Sequence, residues 1–198
     1  DYVRYCDVIL PKGLWSKYDL VQDHEMPEFD FCYCADCRSK FKAEQGYDPL
    51  DLEDPSQDEK WKQFRYDSIT NLVNKIAKGV HDRNKKISAS VFATPSLARM
   101  MVRQDWDKWD LDFVFPMIYY KFYAEDIGFM KRATEEGLKD LNGSKPLYTA
   151  FYLADKNQNE VAEAIDQVKQ TSANGMAFYD FGLLSEEFRA VIKQKTTP

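Results

Sequence analysis

The chain reads as an α/β protein built on a parallel sheet. From residue 58 onward, strand-length apolar runs alternate with amphipathic segments long enough to hold a crossover helix. The runs are apolar on both faces, as in Phe113-Val114-Phe115-Pro116-Met117-Ile118-Tyr119-Tyr120, which is the pattern of strands covered on both sides. No apolar run approaches the roughly 20 residues that would span a bilayer.

The elements follow in order. Residues 1–5 read as the end of a strand. Residues 6–57 are irregular and rich in Pro, Asp and Cys, with one short helix over 36–45 and turn signals at Asp48-Pro49 and Asp54-Pro55. An amphipathic helix is expected over 58–81, because Trp61, Phe64, Ile69, Leu72, Val73, Ile76 and Val80 recur at three- and four-residue spacing. A strand over 87–93 is stopped by Thr94-Pro95, and a helix is expected over 96–109. The strand over 113–120 contains Pro116, which cannot donate to a ladder, so irregular pairing is expected there. A helix over 125–141 ends at Asn142-Gly143, a C-terminal cap signal. A strand over 147–153, a helix over 159–172, a strand over 176–181 and a helix over 185–195 capped by Ser185 complete the chain.

A doubly wound sheet and a (β/α)8 barrel both fit this alternation. No Gly-rich phosphate loop follows any strand. Polar and aromatic residues gather after the strands instead: Tyr119, Tyr120 and Tyr123, then Asp155, then Asp180. Barrel enzymes place their chemistry at that end of the strands. The predicted fold is therefore the C-terminal part of a (β/α)8 TIM barrel, about strands 4 to 8. It forms a single partial domain over 1–198, with the irregular insertion at 6–57. A closed barrel needs eight strands, so the rest is expected from the upstream chain or from a partner.

Three of the four cysteines, Cys32, Cys34 and Cys37, fall within six residues, and Cys6 is the fourth. Thiols this close cannot easily pair with one another, because a disulfide demands particular Cα separations. They can converge on a tetrahedral zinc with Zn–S distances of about 2.3 Å. A closed structural zinc site with Cys6 as fourth ligand is expected, His24 being the substitute. One disulfide from Cys6 with two free thiols is the other arrangement. The net charge of −6 and the scattered basic residues argue against a nucleic-acid surface.

Several segments resemble glycosyl-hydrolase-like proteins labelled family 10 glycosylhydrolases. They are Asp1-Tyr2-Val3-Arg4-Tyr5, Gln104-Asp105-Trp106-Asp107-Lys108-Trp109, Leu111-Asp112 with the run that follows it, and Gly175-Met176-Ala177-Phe178-Tyr179-Asp180-Phe181-Gly182. The resemblance covers nearly the whole chain. It implies that Asp1 ends the fourth barrel strand and that Ile87, Phe113, Leu147 and Met176 begin strands five to eight. The cysteine pattern is similar to the structural zinc site of family 42 β-galactosidases. Those enzymes carry a catalytic Glu at the end of the fourth strand where this chain has Asp1, so their mechanism does not carry over. The resemblance to glycan hydrolases implies an extracytoplasmic setting, periplasmic or secreted, which the cysteines themselves leave open.

Glycoside hydrolysis generally uses two carboxyl groups flanking the scissile bond. Asp1 is the first candidate, its other role being a partner for Arg4. Asp180 is the second by strand position, with Asp155 and Glu125 behind it. Arg4, Tyr119, Tyr120, Trp15 and Asp155 are candidates for contact with a carbohydrate substrate. Asp105, Asp107 and Asp112 lie at the opposite end of the strands and read as structural. The expected function is hydrolysis of a poly- or oligosaccharide, and the alternative is a barrel that binds carbohydrate without cleaving it.

Overall fold

The structure, a computed structural model, describes residues 2–197; Asp1, the first catalytic candidate, lies outside them. Among the described residues, seven α-helices and four strands follow one another as α1 Trp15–Tyr18, α2 Ala35–Gln45, α3 Glu59–His81, β1 Ser88–Phe92, α4 Pro95–Val102, β2 Phe113–Met117, α5 Phe129–Leu141, β3 Tyr148–Tyr152, α6 Gln158–Lys169, β4 Gly175–Tyr179 and α7 Glu186–Thr196. No helix is long and apolar enough to cross a membrane among the described residues.

The strands form one parallel sheet in the order β1-β2-β3-β4. The order never reverses, so right-handed crossovers place the connecting helices on the same face. Contacts between successive helices, α4 with α5, α5 with α6 and α6 with α7, trace that single layer. This is an α/β fold with a four-stranded parallel sheet, compatible with part of an α/β barrel.

Pro116 sits in register opposite Val91, so β1 and β2 pair over all five residues. The irregularity falls on the other side. Val114 and Ile118 donate their N–H groups to the Pro146 and Ala150 carbonyls of the β3 segment. By the two-residue alternation of a strand, the donor that Pro116 lacks would have served the same neighbour.

The helix-covered face holds the core. Val91, Val114 and Leu147 pack with Val73, Trp106, Trp109 and Leu141. Ile118 and Phe151 pack with Met130, Ala133, Val161 and Ile165, and α7 adds Phe188 and Val191. Each large side chain removed from water here contributes about 1.5–3 kcal/mol. The opposite face carries half-buried rings that meet across strands: Tyr148 of β3 lies 6.1 Å from Phe113 and 5.5 Å from Phe115 of β2.

Two helices are markedly shorter than their patterns predict. The helix expected over 96–109 ends at Val102, where Arg103 adopts a left-handed φ of 56° and sends its buried side chain to Glu25 and Asp30. Trp106 then lies on a separate 3-10 turn, Trp106–Lys108. The helix expected from residue 125 begins at Phe129, because Glu125 and Asp126 pair with Arg132 in the preceding turn. Ser185 caps α7 as expected, accepting from the Phe188 N–H.

Candidate functional site

Two regions concentrate chemistry, and the first is the cysteine loop. Asp30 is buried and takes paired hydrogen bonds from Arg65 of α3, together with bonds from Arg103 and the Tyr33 hydroxyl. Arg65 also donates to the Phe31 carbonyl at 2.8 Å, which fixes the backbone immediately before Cys32. Tyr33 and Phe41 pack their rings on Trp61 with centroids 5.4 and 5.0 Å away. Arg38 closes the far side through Asp48, at 2.9 and 2.6 Å.

Held this way, the sulfurs of Cys32, Cys34 and Cys37 all lie within 4.8 Å of one another, close enough to bind one metal ion. Thiolates on a tetrahedral zinc would stand about 3.8 Å apart, given bonds of about 2.3 Å. Hydrogen bonds from the Cys37 backbone N–H and from Cys32 lower the Cys34 pKa. Burial and the neighbouring sulfurs push Cys37 up to about 12. Three sulfurs at this spacing cannot all ionise unless a cation neutralises them, so the donor set fits a divalent metal.

The expected fourth ligand is placed differently from the other three. Cys6 is exposed and outside the 4.8 Å group. Its segment is tied to the end of α4 by hydrogen bonds from Tyr5 N–H to Val102 and from Val8 N–H to Met101. Tyr5 turns its phenol toward the cluster: burial raises its pKa, and Cys37 and Cys32 add to the rise. His24 is exposed and bonded to Asp23 at 2.6 Å.

The second region lies at the C-terminal ends of the strands, on the face without helices. Strand alternation sends Tyr119, Tyr152 and Tyr179 to that face and Tyr120 to the other. The three rings meet, with centroids 5.3 Å apart for Tyr119 and Tyr152, 5.7 Å for Tyr152 and Tyr179, and 6.3 Å for Tyr119 and Tyr179. Beside them is a cavity of about 230 Å³ walled by Arg4, Phe92, Gln104, Met117, Tyr119 and Tyr179, with Tyr2 and Ser90 completing it. Burial raises the Tyr119 pKa, so its hydroxyl stays protonated and able to donate. Arg4 bonds to Asp7 at 2.9 Å and to the Tyr5 carbonyl at 3.1 Å, its guanidinium 5.4 Å from the Phe92 ring.

Among the sequence candidates, Arg4 and Tyr119 come together here. Tyr120 is buried under α6 and donates to Glu160 at 2.8 Å. Asp155 is exposed, with a left-handed φ of 54°, on a small cavity that also touches Tyr119 and Tyr152. Asp180 caps a 3-10 turn, its carboxylate accepting from the Leu183 N–H at 3.2 Å. Trp15 donates to the Leu10 carbonyl and walls a different cavity with Gln22 and Met100. Asp105 and Asp107 pair with Arg99, and Asp112 with His81, in the loops before the strands.

Sequence reasoning missed the Asp30, Arg65 and Arg103 network, although Arg65 follows Trp61 by four residues on the buried stripe of α3. It also missed Asp7. The chain matches no family model and no curated protein.

Proposed function

We propose that this chain is part of a (β/α)8 glycoside-hydrolase-like barrel that recognises a carbohydrate at the C-terminal ends of its strands. Further strands, from the same chain or a partner, close the barrel. The observation that carries the reading is the convergence of Tyr119, Tyr152 and Tyr179 beside a cavity that Arg4 enters. Aromatic faces stack on the C–H faces of sugars, and phenol and guanidinium groups satisfy their hydroxyls. The cysteine loop holds a structural zinc through Cys32, Cys34 and Cys37. Cys6, next to Tyr5 on the adjacent segment, supplies the fourth sulfur after a local rearrangement. A sphere of four sulfurs leaves no open position for a zinc hydrolase.

In the hydrolytic form of this reading, Asp1 acts as nucleophile or general acid/base, with Asp180 as second carboxylate. A specific observation favours the non-catalytic form. The described residues around the 230 Å³ cavity include no carboxylate, Asp7 in the adjoining space is paired with Arg4, and Asp180 is already engaged as a cap. A glycan-hydrolysis screen of the full-length protein beside Asp1→Asn and Asp180→Asn separates the two. Sugar release lost in both folded variants establishes hydrolysis. Saturable glycan binding without release establishes a binding barrel.

A further inference from the structure

We infer that the cleft has a second compartment that takes a planar apolar group attached to the sugar, so that its ligand is an aryl glycoside. The inference rests on the carbohydrate reading above and adds the class of the attached group. A cavity of about 440 Å³ continues from the tyrosine cluster and shares Arg4, Phe92, Met117 and Tyr119 with it. Leu10, Pro11 and Leu14 form one wall, and Phe122 and Tyr123 form the other.

The two walls are locked together by backbone contact. A Cβ at Gly13 would meet the Lys121 carbonyl oxygen at 2.1 Å and the Phe122 carbonyl oxygen at 2.7 Å, so only glycine permits this approach. The groove is therefore built into the fold. Of its polar groups, Arg4 and Asp7 pair with each other and the Tyr123 hydroxyl is held by the Ala93 backbone, which leaves the Tyr18 and Tyr119 hydroxyls on an otherwise apolar lining. A sugar ring placed there would bury hydroxyls with few partners, whereas a flat apolar ring needs none. At about 440 Å³ the space has ample room for such a ring, with its linkage lying beside Arg4.

Calorimetric titration of the full-length protein with matched methyl and 4-nitrophenyl glycosides over a panel of sugars, and with 4-nitrophenol alone, tests this. For at least one sugar the nitrophenyl glycoside is expected to bind about tenfold tighter or more than its methyl counterpart. Leu14→Gln, at a half-buried position, is expected to abolish that advantage and leave methyl-glycoside affinity unchanged. Gly13→Ala, checked for fold by circular dichroism, should do the same by parting the walls. Equal binding of the two glycosides, or an advantage that survives Leu14→Gln, overturns the compartment and leaves the sugar site standing. Binding of 4-nitrophenol alone as tight as that of every nitrophenyl glycoside, with no methyl glycoside bound, overturns the sugar reading on which the aryl glycoside rests. No binding of any probe overturns both.

Discussion

Asp30 and Arg65 form an ion pair whose side chains are both fully buried, with Oδ2 and Nη2 2.7 Å apart. Neither is near the other in sequence, and together they fasten the cysteine loop to the longest helix. The pair survives desolvation because Arg103 and Tyr33 satisfy the remaining carboxylate lone pairs.

Asp30→Asn is therefore expected to be costly. It leaves two buried guanidinium groups facing a neutral amide, and breaking a buried pair costs about 3–5 kcal/mol. Urea denaturation followed by circular dichroism measures the loss. A change within about 0.5 kcal/mol would mean that the network contributes little to folding.

Acid should destabilise the protein through the same groups. Burial raises the Asp30 pKa, but the bonds from Arg65, Tyr33 and Arg103 outweigh it and the net shift is downward. Burial likewise acts against Glu160, while Lys121, Tyr120 and the Asn157 N–H bring it to about 2. Both carboxylates bind protons more weakly folded than unfolded. Their stabilisation is complete above the ordinary carboxylate range near about 4 and disappears as pH falls through the folded values. Asp105 has the opposite sign, because burial and Asp107 raise it, while its partner Asp107 is lowered. Thermal unfolding midpoints from pH 7 to pH 2 should fall mainly below about pH 4. A flat profile there would contradict this assignment.

Glu160 joins a helix cap to the underside of the sheet. It accepts from the Asn157 N–H at 2.9 Å in a capping box and from Tyr120 at 2.8 Å. Glu160→Ala should cost about 1–2 kcal/mol, combining a lost cap with an unsatisfied phenol. Hydrogen exchange should show the effect concentrated in the first turn of α6.

Metal analysis of protein purified without chelator should find about one zinc per chain. Cys34→Ser and Cys37→Ser should abolish it, and chelation should lower the unfolding temperature. Cys6→Ser reads out the fourth ligand: weakened zinc retention assigns Cys6, and unchanged retention leaves that position to another donor.

Much of the sheet was legible in the sequence. The strands expected to begin at residues 87, 113, 147 and 176 begin at Ser88, Phe113, Tyr148 and Gly175, because buried parallel strands leave unmistakable apolar runs. Pro116 disturbs pairing as its missing donor requires. The convergence of Cys32, Cys34 and Cys37 followed from their spacing alone. Long-range polar pairs left no such trace. Nothing local announces that Arg103 ends α4 to reach Asp30, or that Gly13 is pressed against the Lys121 backbone. Only the pleat separates Tyr119 from Tyr120, whose neighbouring rings end on opposite faces of the sheet.

Sugar recognition by the tyrosine cluster is tested first by glycan binding to the full-length protein beside Tyr179→Ala. Tyr179 is 55% exposed, so its removal should leave the fold intact. Saturable binding of at least one glycan is expected, weakened about tenfold in the variant by loss of one stacking face. Binding unaffected by Tyr179→Ala, or no binding across a broad panel, would contradict it.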